Sequence, residues 1–377
     1  MMKWNAFLSG LCASALTLGV VAVEANADVT VEKGASILIF PKLVSSVAED
    51  SIVQISNQGT MMVHAHCYYV DASLVDRFTG ASCPVDNGVN CVPLWQETDF
   101  DIWLTKKQPT AWLLSSGRRV TILNEVPGSP GYGLDPGHVP PMTDFEGELK
   151  CIEIDETGRA TLGNNLKGEA TIKTTTGPQD GDVSKYNAVG IEGNPDAPQP
   201  TNPLPLDGNV YAACPSKLIV QHPSTGISAV ASPVNNFGLS ATTELTLVPC
   251  MEDFENGLPT SSTLQFLVYN EFEERFSGST TVTCYLSTEL TDIDSPLDPT
   301  RSIFSSSVLG TLAAVSEFTP ISGAGGLHAV VGIAENFLAG AINGNVFTDT
   351  SRAAYNIHTE GSLIPESGAE TITLIGE

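Results

Sequence analysis

The pair His64-Ala-His66 has the sharpest metal-like spacing in the chain. Residues i and i+2 of a strand share a face, so both imidazoles could reach one Zn²⁺ or Cu²⁺. No third ligand stands nearby in sequence. A second candidate comes from the loops 250–258 and 290–300, which hold Glu252, Asp253, Glu255, Asp292, Asp294 and Asp298. Carboxylates converging from two loops suit Ca²⁺, a hard cation that takes oxygen ligands. The run Asp292-Ile-Asp-Ser-Pro-Leu-Asp298 is not an EF-hand loop. A solvated acidic rim is therefore the preferred reading, and no cofactor is expected apart from that Ca²⁺ alternative. The acidic run Glu271 to Glu274 belongs to the opposite end of a strand pair and should not share the site.

Catalytic signatures are missing from the sequence. There is no G-x-S-x-G elbow, no H-E-x-x-H and no phosphate-binding loop. Gly131-Tyr-Gly133 sits in a proline-rich loop with no helical pattern after it, so it is not a dinucleotide fingerprint. The His, Ser and Asp residues could still meet as a triad in space, which spacing alone does not test. Trp95, Trp103 and Trp112 cluster in the first half; Trp103 and Trp112 sit in strand segments and are expected in the core, with stacking on a sugar ring as the alternative if two of the three were exposed together.

The cysteines place the chain in a redox compartment. Of eight cysteines, Cys12 lies in an N-terminal leader: Lys3, an apolar run from Phe7 to Val23, then Ala25-Asn26-Ala27 as a cleavage site. This predicts a signal peptide over 1–27 and export to the periplasm or beyond, with no membrane-spanning segment in the mature chain. Seven cysteines then meet an oxidising environment. Cys83 and Cys91 bracket a short turn and are expected to bond. Cys151 aligns with Ala329, and Cys250 aligns with Lys42, in two similar halves of the chain. Each half thus has one shared and one private cysteine, which predicts Cys67–Cys151 and Cys250–Cys284 and leaves Cys214 over. The competitor is Cys214–Cys250 with Cys284 buried and free, and spacing does not choose between them.

Net charge is −26, and residues 213–377 carry 18 acids against Lys217, Arg275, Arg301 and Arg352. Such a surface repels nucleic acid and anionic lipid and suits cations or basic partners. Sparse charge with abundant Gly, Pro, Ser and Thr reads as β structure.

The elements that would position these residues are short alternating strands, expected at 35–40, 51–57, 61–70, 98–104, 111–115, 148–154 and 169–174. A second series is expected at 217–221, 243–248, 263–269, 280–286, 303–308, 312–318, 327–333 and 371–375. One short helix is expected over 334–341. Five prolines in 193–208 predict an extended linker. A Pro/Gly loop over 127–141 interrupts the first half. One strand pair occurs twice: a strand ending in Asn57, a turn and a strand ending in Cys67-Tyr68, then the same with Asn270 and Cys284-Tyr285. Matching the copies puts Val53, Ile55, Ala65 and Tyr69 on a core face with Phe266, Val268, Val282 and Leu286. It puts His64, His66 and Tyr68 on an outward face with Thr281, Thr283 and Tyr285, which argues against a metal at the two histidines.

This strand–turn–strand pattern, with the later strand Phe100-Asp-Ile-Trp-Leu-Thr105, resembles bacterial exported Ig-like sandwich modules of the PapD-like and ASPM/SPD-2/Hydin-like kind. The resemblance covers about a third of the chain and implies architecture without functional residues. The expected fold is all-β: two tandem Ig-like antiparallel β-sandwich domains related by internal duplication. They would span 28–192 and 211–377, joined by a linker at 193–210. The expected function is a non-enzymatic exported structural or interaction protein that meets a protein partner or itself. A Ca²⁺- or carbohydrate-binding module is the alternative, and a secreted hydrolase is third.

Overall fold

The computed structural model describes residues 28–375, except 77, 80–82, 84–90, 119–135, 177–179, 229–236, 323–326, 343–344 and 366–367. The leader 1–27, the turn inside Cys83–Cys91 and most of the 127–141 loop fall outside these residues. The described chain is all-β, with antiparallel sheets and only brief helical turns. None of its helices is long and apolar enough to cross a membrane.

In the first half, one layer holds the strands Val183–Asn187, Leu166–Thr174, Glu49–Asn57 and Pro109–Leu113. A second layer holds Val189–Ile191, Ile37–Ser45, Phe145–Ile154, Val63–Asp71 and Gln96–Leu104. The layers meet at a corner where Ser45 pairs with Asp50. Between them lies a core that includes Phe40, Val53, Ile55, Ala65, Tyr69 and Trp112. Alternation explains Glu49–Asn57, where only every second side chain is fully buried.

Ile37–Ser45 and Phe145–Ile154 behave differently. The first is buried at all nine positions and the second at nine of ten. These strands are covered on both faces, because the second half of the chain docks on their outer side. The cover forms a second core in which Ile37, Ile39, Tyr68 and Ile152 meet Leu204, Tyr211, Val248, Phe254 and Ile372.

The second half is also sandwich-like. One layer runs in the order Arg275–Thr283, Ser261–Asn270, Ala313–Ile321, Lys217–Pro223, His358–Glu360. The facing layer contains Phe237–Pro249, Val330–Ile342 and Asn345–Asn356, with Leu286–Glu289 beside the first of these. Phe266, Phe304 and Phe318 pack in the core between the layers.

Several expectations are corrected. The segment 334–341 is not a helix but part of strand Val330–Ile342, where pairing on both sides overrides its local helix formers. The segment 303–308 is not a strand. It is a serine-rich turn leading into the helix Ser306–Leu309, with Ser302, Ser305 and Ser307 hydroxyls bonded within the loop. The proline-rich segment 193–208 is no free linker, because Leu204 and Leu206 are fully buried and their strand pairs with Glu370–Thr373.

The repeated strand pair is built in two ways. Ser261–Asn270 and Arg275–Thr283 form a hairpin closed by residues 271–274. Glu49–Asn57 and Val63–Asp71 do not pair; each joins a different layer. The core face assigned from the repeat is buried at Val53, Ile55, Ala65, Tyr69, Phe266, Val268 and Val282, whereas Leu286 is half-buried.

Candidate functional site

The outer face of the second layer grades from buried to open. Strand register sets Tyr68 opposite Lys150 on one side and Asp99 on the other, and His66 opposite Asp101. The alternate residues Glu148, Lys150 and Ile152 therefore share a face with Tyr68, His66 and His64. Where the second half covers this face, Tyr68 stacks on Phe254 with ring centroids 4.0 Å apart. Where the cover ends, His64, His66, Asp99, Asp101 and Trp103 line a half-open strip.

In that strip, one carboxylate oxygen serves two imidazoles. Asp101 Oδ1 lies 2.9 Å from His64 Nε2 and 2.8 Å from His66 Nδ1. His66 Nε2 is 3.5 Å from Asp99 Oδ2, and Trp103 stacks on His64 at 4.1 Å. Burial alone would raise the Asp101 pKa, but the bonds from His64 and His66 outweigh it and hold the carboxyl well below the usual range. Gly137, at φ 101°, braces this strand: a Cβ there would meet the Asp101 carbonyl oxygen at 2.4 Å. The expectation of simple outward polar positions is thus refined. Tyr68 is buried, and the histidines are held by a carboxylate partner that sequence proximity does not suggest. The donor atoms of His64, His66 and Asp101 do not gather within 4.8 Å of one another, so the cluster is hydrogen-bonded rather than chelating.

At the border of the cover stands Glu97, its pKa pushed up to about 7, first by burial and then by Glu252, Asp253 and Asp99. Beyond it lies a fully buried ion cluster. Lys150 Nζ donates to Glu148 Oε1 at 3.0 Å and, across the junction between halves, to Glu252 Oε2 at 2.6 Å. Burial pushes the Glu148 pKa up to about 8 despite Lys150, with Glu252 adding to the rise. A second cluster ties the halves elsewhere. Lys42 is turned aside by a bulge between Phe40 and Leu43. It donates to Glu335 at 2.7 Å and to Glu244, while Arg352 donates to Glu335 at 2.7 Å and to Glu49.

The six carboxylates proposed for Ca²⁺ are dispersed among other partners. Glu252 points inward to Lys150. Asp253 accepts from Asn256, and Asp294 accepts from Ser302 Oγ and the Ile303 amide. Asp298 pairs with Arg301 at 3.0 Å, Glu255 is exposed and Asp292 is half-buried. Among the described residues, no three of these six bring ligand atoms within 4.8 Å of one another. Trp112 is buried, with Nε1 donating to Tyr69 at 2.7 Å, so Trp103 and Trp112 form no shared platform.

A His–Ser contact does exist. His222 Nε2 lies 2.8 Å from Ser316 Oγ. Its other nitrogen faces the Pro223 carbonyl rather than a carboxylate, and both side chains are buried. Burial pushes the His222 pKa down to about 4. The pair is core hydrogen bonding, with the serine sealed from solvent.

Disulfides join Cys67 to Cys151, Cys83 to Cys91 and Cys214 to Cys250. The expected Cys250–Cys284 bond is therefore corrected. Cys214 and Cys250 share the second core, whereas Cys284 follows the edge strand of another layer and is buried and free. Burial, with Glu252 and Glu148 next in weight, pushes its thiol up to about 12, so it stays protonated. Three bonded pairs suit an oxidising environment.

Fold and face together define a disulfide-bonded, all-β protein. No protein-family model matches the chain, and no curated protein does. Among solved structures, one of tripeptidyl peptidase 2 aligns with 88% of this chain and 29% of its own, at 10% identity and a TM-score of 0.17. The chain spans under a third of that structure's length, and so loose a superposition defines no shared fold.

Proposed function

We propose that this is an exported structural or interaction protein, built from two Ig-like sandwich modules and acting by presenting surfaces. The observation that carries this reading is the junction between the halves. A continuous apolar core and two buried ion clusters weld them. A freely jointed pair of modules would leave its junction polar and small. A welded pair holds surfaces at one spacing, which is what a scaffold or adaptor requires. The predicted signal peptide and the disulfides agree with export. The half-open strip, where Asp99 is exposed beside Asp101 and Glu97, suits a basic partner surface.

The test is cross-linking in intact cells, using a photoreactive residue at exposed positions of the exported chain. Reproducible adducts of defined mass, to another protein or to a second copy, are expected. Absence of adducts at every position would overturn the interaction reading. The calcium alternative is weaker because its carboxylates are engaged elsewhere. A rise in melting temperature with Ca²⁺ would restore it.

A further inference from the structure

We infer that the chain forms a two-fold dimer by pairing its strand Arg275–Thr283 with the same strand of a second copy. The inference rests on the interaction reading above and names the partner.

The five-stranded layer ends differently on its two sides. One end is His358–Glu360, three residues long; the other is Arg275–Thr283, nine residues long. The long strand pairs only with Ser261–Asn270 among the described residues. Its outer edge therefore presents a row of backbone donors and acceptors, whose natural complement is another strand. Protein edges are usually blunted by Lys, Pro or a bulge. This strand has no Lys, Pro or bulge: after Arg275 at its first position, Phe276 to Thr283 reads FSGSTTVT, without charge or proline, and its register with the neighbour runs without a shift.

The strand is complementary to itself. Even-numbered residues face the core and odd-numbered ones face solvent, with Ser277, Ser279, Thr281 and Thr283 exposed. Antiparallel pairing that keeps the faces together and uses all nine residues centres on Ser279. It sets Phe276 opposite Val282 on the core side and Ser277 opposite Thr281 on the solvent side. Phe276 is only partly buried against the core of its own copy, so the second copy would complete its cover. On the solvent side, hydroxyls already bridge the hairpin at Ser261–Thr283 and Thr263–Thr281, and the pairing extends that pattern. The strand also lies flat on its own core: Gly278 admits the Phe266 ring, which a Cβ would meet at 2.5 Å. For a chain of net charge −26, an edge that carries no acid, and whose one charge, Arg275, falls opposite Thr283 of the second copy, is where two copies meet with least repulsion.

The test uses the purified mature chain with its disulfides intact. Sedimentation equilibrium should show a monomer–dimer equilibrium. Ser279→Lys puts two like charges opposite each other and should weaken the dimer about fivefold without moving the melting temperature of the monomer. Ser279→Cys should give a disulfide-linked dimer under mild oxidation much faster than Ser277→Cys, because position 277 faces position 281. A monomer at all concentrations up to about 100 µM, or equal linkage at both positions, would overturn the inference. Pairing with a different chain at this edge would also overturn it. Adducts in cells with a monomeric purified chain would leave the interaction reading standing while this one fails.

Discussion

The two ion clusters that weld the halves respond to burial in opposite ways. Around Glu335, two cations, Lys42 and Arg352, converge, and the Ser184 hydroxyl adds a hydrogen bond at 2.6 Å. Burial alone would raise the Glu335 pKa, but these partners pull it down to about 2. Around Lys150, one cation faces two carboxylates, all fully buried. There burial prevails for Glu148, whose pKa rises to about 8. Both clusters join the same halves, and their difference lies in how many cations each buried carboxylate touches: Glu335 meets two, whereas Glu148 shares Lys150 with Glu252. A buried carboxylate stays ionised where two cations reach it, and takes up a proton where its one cation is shared with a second fully buried carboxylate.

Removing the single cation should do the most harm. Lys150→Met leaves Glu148 and Glu252 buried without it and should cost about 3–5 kcal/mol, read from urea unfolding. A loss below about 1 kcal/mol would break the comparison, since the carboxylates would then not need their cation. Lys42→Met should cost less, about 2–3 kcal/mol, because Glu335 keeps Arg352 and Ser184. The two variants reversing their order would mean that the number of cations reaching each carboxylate is not what separates the clusters.

The pH profile sharpens the contrast. Glu148 binds its proton more tightly folded than unfolded. Stability from this group is full below about pH 4.5 and falls as pH rises toward about 8. Glu335 has the opposite sign: its contribution is complete above about pH 4.5 and is lost as pH falls toward about 2. Denaturation midpoints measured across pH should therefore fall on both limbs. Glu148→Gln should flatten the alkaline limb alone, and an unchanged slope there would assign it to another group. The smallest effect belongs to the half-open cluster. Asp101→Ala releases both histidines, yet it should cost only about 0.5–1 kcal/mol, because water replaces the lost partner.

Much of the fold was legible where one face of a strand is buried. Val53 and Ile55, or Phe266 and Val268, alternate with polar neighbours, and a period of two is a local property. The run Ser36-Ile-Leu-Ile-Phe40 was legible in a different way. It does not alternate, which is the mark of a strand covered on both faces; that signal could have announced the docking of the second half. The helix expected over 334–341 failed because Ala, Glu and Leu favour a helix locally, while strands on both sides claimed the backbone. The candidate site was legible only in part. His64 and His66 share a face as expected, but Asp101 joins them from another strand.

From its amino acids alone, this chain is all-β, carries alternating core faces in both halves and has cysteines suited to export. Those features follow from periodicity and composition, which act over a few residues. The tertiary structure decided that Cys250 bonds Cys214 rather than Cys284, that Glu252 is an internal partner instead of a surface ligand, and that the proline-rich segment sends Leu204 and Leu206 into the core. Each depends on which distant segments are brought together. Lys150 and Glu252 are 102 residues apart. Only the docking of one half on the other removes water from both, and that loss of water gives their charges consequence.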